Sequence, residues 1–176
     1  MPVVVRTVDY HTAGEPFRIV VDGVPSIPGD TILEKRRYCA EQLDHVRRML
    51  VFEPRGHADM YGCFPTEACA EGSDLGVVFF HNAGYSTACG HGTIALATWA
   101  VESGFLPRRE RLRIDVPSGT LDVTVRDGRV AFRNVPAFVH RRDLVAAGLR
   151  VDVSYGGAFY ASVESPVPIE DRKSVV

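Results

Sequence analysis

Along the chain the apolar positions change period several times, and each change predicts an element. Val3 to Val8 is a β-branched run, His11 to Pro16 reads as a turn, and Phe17 to Val21 reads as a second strand closed by Asp22-Gly23. From Thr31 to Leu50 the residues Ile32, Cys39, Leu43, Val46 and Leu50 fall on one stripe. Thr31 and Glu34 have capping-box spacing, so this stretch predicts one surface helix. Lys35, Arg36, Arg37, Arg47 and Arg48 lie on its other face, which reads as solvated. Leu75 to His81 predicts a strand, and Ile94 to Val101, with almost no polar face, predicts a buried helix that stops near Gly104. A meander follows: Leu112 to Val116, Leu121 to Val125 and Val130 to Val135, with turns at Pro117-Ser118-Gly119 and Asp127-Gly128. Val151 to Val163 is extended again around Gly156-Gly157. Strands outnumber helices, and the strands before the central helix show no regular crossover helices. The pattern therefore predicts an α+β fold, a mostly antiparallel sheet wrapped around one buried helix.

Composition narrows the class without changing this picture. A chain of 176 residues that is 45% hydrophobic can bury a real core. Its net charge of -2 supplies no broad field for nucleic acid or an acidic membrane. The apolar blocks are too short to span a bilayer, and the start lacks the basic-then-apolar plan of a signal peptide. The four cysteines, Cys39, Cys63, Cys69 and Cys89, form no CxxC pair and no disulfide density, which points to a reducing cytoplasm.

The chemistry concentrates between Asn82 and Glu102, NAGYSTACGHGTIALATWAVE. A glycine-bearing loop delivers Cys89 to the amino end of the buried helix. There the unpaired N–H groups and the dipole attract anions and lower a thiol pKa. This predicts a reactive Cys89, the first of the four thiols to be alkylated near neutral pH, with a ligand anion on the N–H groups of Gly90 and His91. A buried structural cysteine is the alternative, and the residues alone leave both open. His11, Glu15, His81 and Asn82 are candidates for supporting roles in neighbouring loops. His57 and Asp59 suggest a metal or acid-base pair but lack a third ligand, and Cys89 with His91 cannot close a metal site, so no metal is expected. Gly90-His-Gly92-Thr-Ile-Ala95 also fits the dinucleotide fingerprint, with Asp115 as the ribose acid. Asn82 to Cys89 intervene between strand and first glycine, which weakens that reading.

Several blocks together carry a resemblance: TVDYHTAGEPFRIV, KRRYCAEQLDHVRRMLVFEPRGHADMYG, YSTACGHGTIAL, VPAFV and YGGAFYA. From about Thr7 to Val163 the chain resembles the proline racemase family, above all its trans-3-hydroxy-L-proline dehydratase branch. The resemblance implies a diaminopimelate epimerase-like fold with two similar α+β domains, each around a central helix, closing on one substrate. It implies catalysis without a cofactor, Cys89 as the first acid-base residue, and substrate carboxylate on the N–H groups of Gly90 and His91. It further implies a small-molecule substrate, hydroxyproline or proline, and a homodimer for the full-length protein.

Two departures bear on that expectation. Ala13 stands where the family often has the second glycine of His-Thr-Gly-Gly-Glu-Pro. The larger is length: the second catalytic position, cysteine in racemases and epimerases and threonine in dehydratases, has no counterpart among these residues. The expected organisation is an epimerase-like domain over residues 1–154 and the start of a second over 155–176. The native protein is expected to continue past about Pro168, with Asp171 to Val176 reading as a translated sequencing adapter. A proline racemase, a 4-hydroxyproline 2-epimerase, a nucleotide-dependent oxidoreductase and a non-catalytic small-acid-binding domain are the competing functions.

Overall fold

A computed structural model describes residues 4–165 and 167–168, so the Asp171 to Val176 tail lies outside the described residues. The chain divides between Val135 and Pro136, and each unit has its own sheet.

The first unit contains β1 (Arg6–Thr12), β2 (Glu15–Asp22), α1 (Ile32–Gln42), α2 (Asp44–Val51), β3 (Tyr61–Thr66), β4 (Leu75–His81), β5 (Gly84–Tyr85), α3 (Gly90–Glu102), β6 (Arg111–Val116), β7 (Gly119–Arg126) and β8 (Arg129–Arg133). The sheet order is β1-β2-β3-β4-β6-β7-β8, with the short β5 added beside β4. Most neighbours are antiparallel, as expected, but β2 with β3 and β4 with β6 are parallel. Crossover helices are therefore present, against expectation: α1 and α2 join the first parallel pair, and α3 joins the second. Crossovers of this kind are right-handed. Because β3 and β4 run antiparallel, two such crossovers stepping the same way across the sheet put their helices on opposite faces. Side-chain alternation follows suit. Cys63, Val77 and Phe79 join Leu96 and Ala100 in the α3 core, while Phe64, Val78 and Phe80 join Ile32, Cys39 and Leu50 beneath α1 and α2. Being covered on both faces, β4 is apolar throughout except at His81.

The sheet curls around α3, which packs against β1 and β2 at one side and β7 and β8 at the other. The helix needs no amphipathic stripe because both edges of the sheet reach it, and Ala95, Leu96, Ala97, Trp99 and Ala100 are all buried. It ends as predicted, with Gly104 at φ +74 just past the cap at Ser103.

The long surface helix is two helices, broken at Leu43, whose φ of -116 and ψ of 8 leave the helical region. No proline or glycine marks the break; it lets Leu43, Val46 and Leu50 all remain buried on the sheet. The capping box at Thr31 is present, Thr31 Oγ1 accepting from Glu34 N–H and Glu34 accepting from Thr31 N–H. The basic face is not wholly solvated. Lys35 is buried and donates to the carbonyl of Glu67 at 2.8 Å, and buried Arg47 donates to Asp44 and to the carbonyls of His81 and Asn82. Among the described residues no helix is long and apolar enough to cross a membrane.

The second unit is an antiparallel sheet of β9 (Phe138–Ala146), β10 (Leu149–Tyr155) and β11 (Phe159–Val163), in the order β11-β10-β9. The boundary expected after residue 154 falls between the last two residues of β10. Three hairpin turns, Ala13-Gly14, Asp127-Gly128 and Ala147-Gly148, have positive φ at both positions. This is the geometry that matches the twist of the flanking strands.

Candidate active site

Cys89 is the N-cap of α3, held extended at φ -152 and ψ 107. The N–H groups of Gly90, His91 and Gly92 precede the first intrahelical bond, from Thr93 N–H to the Cys89 carbonyl at 2.9 Å. Thr93 Oγ1 donates to the same carbonyl at 2.8 Å. The helix end is thus pinned with its positive pole beside the sulfur. Gly90 is open to approach: a Cβ there would meet only Phe132, at 3.5 Å. Gly92 is the reverse, since a Cβ would lie 2.3 Å from Phe17 Cε2 and 2.9 Å from Cys89 Sγ.

Side chains from four strands surround this end. The His91 ring lies 3.6 Å, through Nδ1, from Cys89 Sγ. It stands edge-on to Phe17 of β2 and Tyr61 of β3, with centroids 5.6 and 5.0 Å away. Tyr61 in turn stacks on His81 of β4 at 5.1 Å. Thr12 of β1 donates to the His91 carbonyl at 3.0 Å, tying the first hairpin to the helix terminus.

Of the supporting candidates, His11 accepts the Gly14 N–H in the hairpin turn at 3.3 Å. His81 accepts the Ala83 N–H on Nδ1 at 3.2 Å, and burial with the charges of Arg47 and Arg36 lowers its pKa. Asn82 commits its amide to the carbonyls of Val51 and His57, bracing the loop that leads to Cys89. His57 and Asp59 gather no further ligands, and among the described residues no three potential ligands cluster. Asp115, the ribose candidate, is buried within the fold. Burial opposes its charge, but donors from Ser73, Ala70, Cys69 and Thr120 outweigh it and lower the pKa. Its oxygens hold the 69–73 loop against the β6–β7 turn.

The structure corrects one expectation about the thiol. Burial pushes Cys89 up to about 12. The Gly92 N–H works in the opposite direction without prevailing, and the Glu15 charge adds to the rise. Dipole arguments favour a thiolate, but here desolvation by Phe17 and the surrounding core is larger. Reactivity follows: Cys39, Cys63 and Cys89 are buried and Cys69 is half-exposed. Iodoacetamide near pH 7.5 is expected to modify Cys69 first, with Cys89 accelerating as the pH rises toward about 12. Peptide mapping of a time course checks this, and early loss of Cys89 alone would contradict the burial argument.

Phe17, Tyr61 and Phe132 were not legible as site residues. They come from three strands whose convergence on α3 depends on the curl of the sheet.

The proline racemase family model matches residues 7–173. The chain is 46% identical to the 3-hydroxyproline 2-epimerase of Burkholderia multivorans, over 97% of its own length and 55% of that protein's. Identity and coverage are the same for the trans-3-hydroxy-L-proline dehydratase of Burkholderia ambifaria. It is 47% identical to the Homo sapiens trans-3-hydroxy-L-proline dehydratase, over 91% of this chain and 50% of that protein. The solved hydroxyproline epimerase from Agrobacterium vitis, with bound trans-4-hydroxy-L-proline, superposes with a TM-score of 0.80 at 28% identity, covering 91% of this chain and 51% of that one. A PhzF-family phenazine biosynthesis protein from Bacillus anthracis, at 17% identity and a TM-score of 0.53, shares the fold. The chain spans about half the length of the curated relatives it matches. With a family match over nearly its whole length, the chain belongs to the proline racemase family.

Proposed function

We propose that these residues carry one half of the site of a trans-3-hydroxy-L-proline dehydratase, with Cys89 moving the Cα proton. The observation that carries the reading is Cys89 at the N-cap of a buried apolar helix, its sulfur beside the glycine-flanked N–H groups of the first turn. Removing a Cα proton from an amino acid pushes charge onto its carboxylate. N–H groups of Gly90 and His91 fixed by the helix stabilise that charge without reorganising. In the forward reaction the sulfur, as thiolate, takes the proton from C2. The hydroxyl on C3 leaves as water with the proton the sulfur has taken, which restores the thiolate, and the resulting C2–C3 double bond rearranges to the cyclic imine acid as the ring N–H proton moves to C3. No cofactor is required by this scheme. The ring's other face is served from outside these 176 residues, in a protein we infer to be cytoplasmic and dimeric when complete.

Epimerisation is the second reading, favoured by the equal identity to a relative named 3-hydroxyproline 2-epimerase. It shares the first half-reaction and returns the proton to the opposite face.

The test uses the completed gene product and the 176-residue chain side by side, with trans-3-hydroxy-L-proline as substrate. The completed enzyme is expected to form the imine and the isolated chain to show no turnover, because an open helix end leaves its dipoles screened by water. Deuterium uptake at Cα of L-proline and of 4-hydroxyproline reads the competing outcome. Exchange with inversion and no imine would move the assignment to the epimerases, and turnover by the short chain would overturn the half-site argument.

A further inference from the structure

Thr12 is the last residue of β1, paired across the first hairpin with Glu15 and followed by the Ala13-Gly14 turn. Tyr10 and Val8 pack on the α3 core, and side chains two apart on a strand share a face, so Thr12 points toward α3 as they do. Its hydroxyl donates to the His91 carbonyl at 3.0 Å. Branching at Cβ stiffens the threonine at χ1, and Gly14 N–H donating to His11 Nδ1 at 3.3 Å holds the turn just beyond it. The donor is therefore delivered from a braced position.

The His91 carbonyl lies inside the helix, where the ladder turns it toward the N–H of Ala95, and its second lone pair takes the threonine. The same planar peptide unit carries the Gly92 N–H, pointing the opposite way. Cys89 is the N-cap and Gly92 the third helical residue, the position whose N–H faces an N-cap side chain. The sulfur lies hard against that residue, 2.9 Å from where a Gly92 Cβ would stand. One rigid plane thus has the Thr12 hydroxyl on its oxygen and the Cys89 sulfur beside its N–H. The N–H groups of Gly90 and His91 belong to the two preceding peptide units, outside that plane.

We propose that Thr12 is a positioning residue for Cys89: its hydroxyl fixes the His91–Gly92 peptide plane so that the Gly92 N–H stays aimed at the sulfur. A hydrogen bond to the carbonyl also polarises the peptide and strengthens its N–H as a donor. The first hairpin thereby acts on the sulfur through a peptide bond. The inference rests on the proposed proton-transfer role of Cys89 for its effect on rate. Exchange of the Gly92 amide proton needs no substrate, so the two can fail separately.

The experiment compares Thr12→Val and Thr12→Ser in the complete gene product. Valine keeps the branched shape and the strand preference but removes the donor, whereas serine keeps the donor. Residue-resolved amide hydrogen exchange at Gly92 is expected to speed about fivefold in Thr12→Val and to stay near the parent in Thr12→Ser, with the β4 amides unchanged in both. With trans-3-hydroxy-L-proline, Thr12→Val is expected to lose about tenfold in kcat with KM within about twofold, and serine to recover most of that loss. Parental exchange at Gly92 in Thr12→Val would overturn the proposal. So would faster exchange that spreads to β4, which signals opening of the fold, or faster exchange with kcat unchanged. A rise in KM alone would assign Thr12 to the carboxylate side of the site and overturn it too, as would a loss that serine does not repair. An inactive parent would sink the dehydratase reading and leave Gly92 exchange to decide the placement of Thr12.

Discussion

Replacing Cys89 with serine in the complete enzyme is expected to abolish turnover while making the protein more stable. At the N-cap of α3 the thiol occupies the place where a hydroxyl accepts from the third helical residue, and its interaction with the Gly92 N–H falls short of a cap hydrogen bond. Sulfur is a weak acceptor, whereas serine is among the favoured N-cap residues and is worth roughly 0.5–1 kcal/mol there. The same oxygen cannot serve as base: a hydroxyl titrates far above a thiol, so proton abstraction should fall by about 10³-fold or more. Denaturant unfolding with the Cα exchange rate separates the two effects. Retained exchange in Cys89→Ser would remove the residue from the chemistry, and lost activity through unfolding would contradict the cap argument.

Gly92→Ala is expected to cause the second large loss, by steric rather than electrostatic means. The new methyl would lie 2.3 Å from Phe17 Cε2 and 2.9 Å from Cys89 Sγ. Phe17 is fully buried and braced edge-on by Phe79, with centroids 6.2 Å apart, so it has no space into which to turn. Either the ring or the sulfur must move. Overpacking of this kind costs about 1–3 kcal/mol of stability, and a displaced base about 10²-fold in kcat. A Gly92→Ala enzyme with parental stability and rate would show that the helix end is looser than its packing implies. The companion Gly90→Ala should be much milder in stability, because its methyl meets only Phe132 at 3.5 Å.

How far the sequence predicted this structure depends on whether the signal was local. β4 and α3 were legible because their apolar runs are long and bounded by Gly104 and by the polar loop after His81. The hairpin turn at Asp127-Gly128 was equally plain. β3, Tyr61–Thr66, was not, since Gly62 and Pro65 blur any alternation and its place is set by the strands on either side. β9 is exposed along its whole length and so has no burial period to read. The break at Leu43 had no proline or glycine to announce it. At the site, the position of Cys89 on the helix was visible, but its raised pKa depends on Phe17 and the other groups that desolvate it. No spacing rule reports that environment.

An apolar helix gripped by both edges of a curled sheet also imposes an order on synthesis. Residues 90–102 leave the ribosome before β6, β7 and β8 exist, yet two of the strands that enclose α3 lie between Gly119 and Arg133. At a typical elongation rate of about 5–20 residues per second, the helix spends on the order of seconds with part of its apolar surface uncovered. Until Arg133 clears the exit tunnel, the nascent chain presents chaperones with the very segment that later carries Cys89.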